Sequence, residues 1–161
     1  MKKKYLITIA IVLGVILLDQ SSKLYIDRVF PLHCSIPIVK NFIHITYIRN
    51  TGAAFGLLAS QGTGFKVFFF ATTSIIAVLI ILFFLRSLKD TETLLTSSLS
   101  LIMGGAIGNL IDRVRLGEVI DFIDFHWYSY HWPAFNVADS AITVGGVFLI
   151  VNTVFKKDRT Q

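Results

Sequence analysis

Four apolar runs dominate the chain, at about residues 5–25, 65–85, 94–113 and 134–155. Each supplies the ~20 residues an α-helix needs to cross the hydrocarbon of a bilayer. In that solvent a spanning segment must satisfy its own backbone polar groups, so each run is expected to be helical. The expected fold class is therefore a membrane α-helical bundle of four transmembrane helices, forming a single domain over residues 1–161. A mean hydropathy of +0.70, with 54% hydrophobic and 16% charged residues, is too apolar for a water-soluble domain.

The first run follows Lys2-Lys3-Lys4, and with Tyr5–Leu18 it has the look of a cleavable signal peptide. No small-x-small cleavage site comes next. Asp19-Gln20-Ser21-Ser22-Lys23 does, so the run reads as an uncleaved first span. The net charge of +5 is concentrated partly at Lys2–Lys4 and Lys156–Arg159. Lys and Arg beside spans favour the cytoplasmic side, which predicts cytoplasmic termini and an outward-facing position for the loops at about 28–64 and 114–133. No basic patch interleaved with aromatics is present, so nucleic acid is not an expected partner. Cys34 is the only cysteine, which excludes an internal disulfide and a cysteine-based metal cluster.

The polar loops carry the chemistry. Gly105–Ser140 holds four aspartates, Asp112, Asp121, Asp124 and Asp139, between the third and fourth spans. Ionisable groups at membrane depth are costly and mark pathways or reaction sites. Val119–Phe125 alternates and predicts a strand, with Asp121 and Asp124 on opposite faces. Ile36–Val39 and Phe42–Ile48 are β-branched and predict two more strands. Asn50-Thr51-Gly52 is a turn, and residues 53–60 have the pattern of a short interfacial helix. Asp139 falls in the first turns of span 4, where helix-end donors favour a carboxylate.

On span 3, Gly104 and Gly108 form a GxxxG, and Gly105, Gly108, Asn109, Asp112 and Arg113 share one stripe. That stripe suits a helix-packing seam or a seam that also binds something polar. Asp19 and Lys23 are an i,i+4 pair at the end of span 1, suited either to ending the span or to tying it to a site. Trp127, Tyr128, Tyr130 and Trp132 read as an interfacial aromatic belt. His126 and His131 lie among them without HxxxH or HExxH spacing, so neither a metal site nor a cofactor is expected.

Four blocks occur together in order: Asp19-Gln-Ser-Ser-Lys23; Asn50-Thr-Gly-Ala-Ala-Phe55; Gly105-Ala-Ile-Gly-Asn-Leu-Ile-Asp-Arg113 with Val119-Ile-Asp-Phe122; and Phe135-Asn-Val-Ala-Asp-Ser140. In this combination the chain resembles bacterial signal peptidase II, over nearly its whole length. The resemblance implies an intramembrane aspartyl endopeptidase of the bacterial inner membrane. Its substrates would be prolipoproteins already carrying diacylglycerol, cut just before the lipidated cysteine.

The same resemblance implies Asp121 and Asp139 as the catalytic pair. Asn50, Gly52, Asn109, Arg113, Asn136 and Ala138 would contact substrate or shape the pocket, and Asp19 and Lys23 would support it. It also implies an extracytoplasmic β-cradle. The lipid is expected in a groove between spans, with room left by the small residues of span 3, and the protein is expected to be a monomer among membrane lipids. Two other classes compete, a proton-coupled transporter and a non-enzymatic lipid-binding protein. The first calls for ionisable groups deep within spans and an internal repeat; the second needs no converging aspartates.

Overall fold

The computed structural model describes residues 2–52, 62–128 and 130–157. The interfacial helix expected at 53–60 lies outside the described residues. Four long helices, α1 (Lys3–Val29), α2 (Thr63–Ser87), α3 (Thr93–Leu116) and α4 (Val137–Lys157), are each long and apolar enough to cross a membrane. Four strands, β1 (Ser35–Val39), β2 (Ile43–Asn50), β3 (Val119–Trp127) and β4 (Tyr130–His131), form one antiparallel sheet in sequential order.

The helix α3 is the centre of the bundle. In its most apolar stretch 56% of residues are buried, against 11–17% in the other three helices, which present Leu, Ile, Val and Phe outward. Outward apolar surface of this extent is what lipid covers. Lipid is as apolar as leucine, so helices in a bilayer associate through close contact and not through water exclusion. The glycines of α3 provide that contact. A Cβ on Gly104 would lie 2.9 Å from Val15 of α1, and one on Gly105 would strike the Ala138 carbonyl and Ile142 of α4. One on Gly108 would lie 2.7 Å from Asp19 Oδ2. The small-residue stripe is thus filled by neighbouring helices and leaves no room for lipid, contrary to the sequence expectation.

At the opposite end from the sheet, Lys4 is buried and donates from Nζ to the carbonyls of Leu85, Arg86 and Leu88 at 2.6–2.8 Å. Those are orphan acceptors at the end of α2, and a cation there also suits the helix dipole. A lysine that the sequence offers only as an orientation charge therefore fastens α1 to α2.

The helix α3 runs past residue 113 to Leu116, where Gly117 (φ 76°) closes it in the left-handed conformation with its N–H on Arg113 O. Span 4 starts later than residue 134. Phe135 is extended and pairs with β3: its N–H reaches Ile123 O at 3.0 Å and its carbonyl accepts from Ile123 N at 2.8 Å. Only at Val137 does the helix begin.

The sheet docks on the bundle through a core of Ile26, Tyr47, Ile120 and Phe122. Beside it, Tyr47 Oη donates to Asp27, which also pairs with Arg49 Nη2 at 2.9 Å. Between Ile45 and Ile48 β2 gains a residue on β3, a bulge that brings Ile48 opposite Asp121 and Asn50 opposite Val119. Bulges re-aim side chains in this way near sites. The hairpin partner β4 is too short to show in the sequence as a strand.

Candidate active site

The N-terminus of α4 is the point where the elements converge. Asn136 caps it: its Oδ1 accepts the Asp139 N–H at 2.9 Å, and Asp139 Oδ2 accepts the Asn136 N–H at 3.3 Å. This is a reciprocal capping box, with asparagine and aspartate in the usual places of Ser/Thr and Glu. It fixes Asp139 at the third helical position. A second orphan donor, the Ala138 N–H, is satisfied from another helix by Asp19 Oδ1 at 2.9 Å. Ala138 is fully buried, and a larger side chain there would collide with α3.

Because Asn136 spends its carbonyl oxygen on the cap, its amide is free to donate. Nδ2 reaches Asp121 Oδ1 at 2.7 Å, with the Ile120 carbonyl and Asn109 Oδ1 at 3.2 and 3.3 Å. One side chain thus touches both Asp121 and Asp139. Asn50 holds the other oxygen, donating from Nδ2 to Asp121 Oδ2 at 2.9 Å, while its own Oδ1 is fixed by the Gly52 N–H at 2.7 Å. Gly52 adopts φ 92°, and a Cβ there would enter the Phe70 ring. The same ring lies under the Arg113 guanidinium, 5.3 Å from its centroid. The Asn-Thr-Gly turn is therefore an orienting device for Asn50.

Asp139 Oδ1 accepts from Asn109 Nδ2 at 2.7 Å. Asn109 Oδ1 in turn accepts from Lys23 Nζ at 2.9 Å. The Lys23 ammonium has two further acceptors, Asp19 Oδ2 and Asp112 Oδ2, each at 2.9 Å, so all three of its protons are used. Asp19, Lys23 and Asp112 are almost fully buried. Asp112 also accepts the Ile120 N–H at 3.3 Å and Gln20 Nε2 at 3.0 Å, which locks the residue beside Asp121. Of the two uses open to the Asp19–Lys23 pair, tying span 1 to the site is the one realised. Asp112 is a structural partner, as its place beside Arg113 suggests.

Asp121 is 2% exposed, and burial pushes its carboxyl up to about 7. The Asn50 hydrogen bond opposes this, the nearby Asp139 charge adds to it, and Asn136 and Lys23 oppose it further. Asp124 is engaged elsewhere, with His131 Nδ1 3.0 Å from both its oxygens. Beside Asp139 and Ser140 opens a groove of about 700 Å³ walled by Phe42, Phe125, Trp132, Phe135 and Val144.

Two carboxylates, Asp121 buried and Asp139 half-buried, are thus gathered by asparagines, with a lysine held one residue away. The signature described as signal peptidase (SPase) II covers residues 11–155. The chain belongs to the signal peptidase II family. It is an aspartic peptidase of family A8. Similar proteins include the lipoprotein signal peptidase of Geobacter sulfurreducens, 50% identical over 99% of this chain and 98% of that protein. That of Syntrophus aciditrophicus is 47% identical over 96% and 97%. A bacterial membrane enzyme solved by the in meso method superposes with a TM-score of 0.85 at 32% identity, covering 96% of this chain and 91% of the other. A second, solved by the same method, gives 0.81 at 36% identity.

Among these signal peptidase II residues, motif matching finds every member of the Asp121–Asp139 network except Gln20 and Asp112. In the sequence Asp112 stands out only through its place beside Arg113 on the span 3 stripe. The signal that separates it is its stripe position facing Lys23, which needs the packing of α1 on α3.

Proposed function

We propose that the chain removes signal peptides from prolipoproteins whose lipobox cysteine already carries diacylglycerol, cutting just before that cysteine, with Asp121 and Asp139 as the catalytic pair. The observation that carries this reading is the single Asn136 side chain bonded to both aspartates. Hydrolysing an amide needs one group to take a proton from water and another to give one up. Two nearby carboxyls cannot both ionise cheaply, so they hold one proton between them and supply both functions.

Burial raises the Asp121 carboxyl to about 7, so it is able to hold that proton near neutral pH. Asp139 takes a proton from the attacking water as its oxygen adds to the scissile carbonyl, and Asp121 protonates the carbonyl oxygen. Collapse of the tetrahedral intermediate breaks the C–N bond as the proton held on Asp139 passes to the departing amine and one gem-diol hydroxyl returns its proton to Asp121, leaving the acid product and restoring the starting pair. Asn50, Asn109 and Asn136 hold the carboxyl oxygens, while Gly52 and Ala138 keep space that a side chain would fill. Asp19 and Lys23 position the start of α4 and Asn109 without touching substrate. Arg113, stacked on Phe70 at the same end of α3, offers donors to a substrate carbonyl or lipid ester.

The apolar groove beside Asp139 suits acyl chains, and its position between α4 and the aromatic edge of the sheet supports a substrate that arrives within the membrane. The reading places the chain in the bacterial inner membrane as a monomer, with both termini cytoplasmic and the sheet and dyad at the extracytoplasmic face. The charged flanks at Lys2–Lys4 and Lys156–Arg159 favour that orientation. Purified enzyme in detergent, given matched prolipoproteins with and without diacylglycerol, should shift the size of the modified one alone. Equal cleavage of both would remove the lipid from the reading.

A further inference from the structure

Three of the chain's four histidines gather around one aspartate on the sheet. Asp124 stands opposite His44 in the β2–β3 register, and His126 follows two residues along β3. One ligand atom from each of His44, Asp124 and His126 lies within 4.8 Å of the other two. At about 3.3 Å per residue, Asp124 is about 10 Å along β3 from Asp121, outside the hydrogen-bonded network of the dyad.

The packing of these rings is not that of ordinary core histidines. His126 is 7% exposed, and among the described residues its buried Nδ1 has no hydrogen-bond partner; it is aimed toward Asp124 Oδ2 3.9 Å away. Buried polar atoms are almost always paired, so an orphan imidazole nitrogen facing a carboxylate calls for a ligand. His44 meets the His126 ring edge-on at 4.3 Å between centroids. Its Nδ1 is engaged by Ser35 Oγ at 3.0 Å, leaving Nε2 for a ligand. Metal-binding imidazoles characteristically have the second nitrogen anchored in this way. His131 bonds both Asp124 oxygens at 3.0 Å and stacks on His126, so it orients the carboxylate.

We propose that His44, Asp124 and His126 bind one divalent transition-metal ion of the zinc class, with His131 as a positioning residue. Two imidazoles and a carboxylate are the ligand set of zinc, not of magnesium or calcium, which take oxygen. Zinc–ligand bonds are about 2.0–2.2 Å, so ligand atoms within 4.8 Å of one another close on an ion by side-chain movements of less than about 1 Å each. A surface pocket of about 300 Å³, bordered by His126, His131, Trp127 and Tyr130, gives the ion a way in. The ion would fasten β2 to β3 at the edge where Phe42, Phe125 and Trp132 form the wall of the groove beside Asp139. It takes no part in hydrolysis.

Local spacing could not reveal the site, because His44 comes from a different strand. The test uses full-length enzyme purified without a polyhistidine tag, stripped with chelator, and titrated with Zn²⁺ against a chromophoric competitor. Co²⁺ absorption serves as a second readout. One saturable zinc per chain is expected, with the intense visible bands of four-coordinate cobalt. His44→Gln and Asp124→Asn should each weaken zinc by more than ~100-fold, and His131→Ala by the ~10–100-fold typical of an outer partner. His33→Gln should change nothing. His44 is only partly buried, so its variant is expected to fold; Ser35→Ala, at an exposed position, provides a second probe and should weaken binding about tenfold. Absence of saturable zinc, or zinc binding indifferent to both His44→Gln and Asp124→Asn, would overturn the proposal.

Discussion

Asn136 Nδ2 lies 2.7 Å from Asp121 Oδ1, and the same residue caps the helix that carries Asp139. The helix cap and the contact to Asp121 are therefore made by one side chain. Replacing it separates the two. Asn136→Ala should lose the cap, costing about 1–2 kcal/mol in thermal or denaturant unfolding, and should also lower kcat at least tenfold. Asn136→Ser keeps a capping oxygen but removes the amide that donates to Asp121. It should recover most of the cap's stability and little of the activity. Equal recovery of both would mean that Asn136 acts only as a cap.

Lys23 bridges two buried aspartates at once, each 2.9 Å away. Breaking a buried charge pair by removing one partner costs about 3–5 kcal/mol, because the other charge is left stranded. Lys23→Ala should fall in that range while the folded fraction still cuts prolipoprotein measurably. Complete loss of cleavage in a fully folded variant would place Lys23 in the chemistry itself.

Gly52 holds Asn50 through its N–H at φ 92°, a conformation costly for any residue with a Cβ. Gly52→Ala also pushes a methyl into Phe70, the ring under Arg113. Activity should fall at least tenfold, with some loss of melting temperature from the strained backbone. A variant with normal kcat/KM would show that the turn does not orient Asn50 for the reaction.

The raised Asp121 carboxyl gives two pH signatures of defined sign. In the unfolded chain this group ionises near 3.8, and in the folded protein near about 7. The folded state thus binds an extra proton between those values. The stability this contributes is complete below about pH 3.8 and is lost as pH rises through about 7. Asp121→Asn should flatten that part of the melting-temperature profile. In the active enzyme, kcat/KM should decline as pH rises through about 7, where the pair loses its shared proton. An alkaline limb several units higher would mean that Asp121 is not the proton carrier.

Much of this was legible before any coordinates. Bilayer thickness leaves little freedom to an apolar run, so four helices and their approximate ends follow from length alone. Strand periodicity located β1, β2 and most of β3. The ends moved where local pairing intervened: Phe135 is held by Ile123, which delays α4, and the buried Asp19–Lys23–Asp112 cluster lets α1 and α3 continue through charged residues. Composition could not show that Lys4 closes the end of α2, since a lysine near a terminus reads equally well as an orientation signal. Nor could it show that the glycines of α3 are packed solid, because a GxxxG has the same sequence whether helix or lipid fills it. Asp121 and Asp139 stand out as a pair only through motif resemblance; strand alternation and helix stripes alone do not set them apart from Asp112 and Asp124. Distances across α1, α3 and β4 were needed to give each rival its own partner.

The central claim is that Asp121 and Asp139 form one acid–base unit, and isosteric replacement tests it most directly. Cleavage of a diacylglyceryl-modified prolipoprotein should be compared for wild type, Asp121→Asn, Asp139→Asn, the double variant and Asp124→Asn, all confirmed to be folded and membrane-inserted. Each single dyad variant should lose at least ~10²–10⁴-fold in kcat, the usual range for a general acid or base. The double variant should be scarcely worse than either, as expected of groups acting as a unit, and Asp124→Asn should keep most activity. Near wild-type cleavage by either dyad variant, with Asp124→Asn inactive instead, would contradict the assignment; normal cleavage by all of them would contradict the aspartyl mechanism itself.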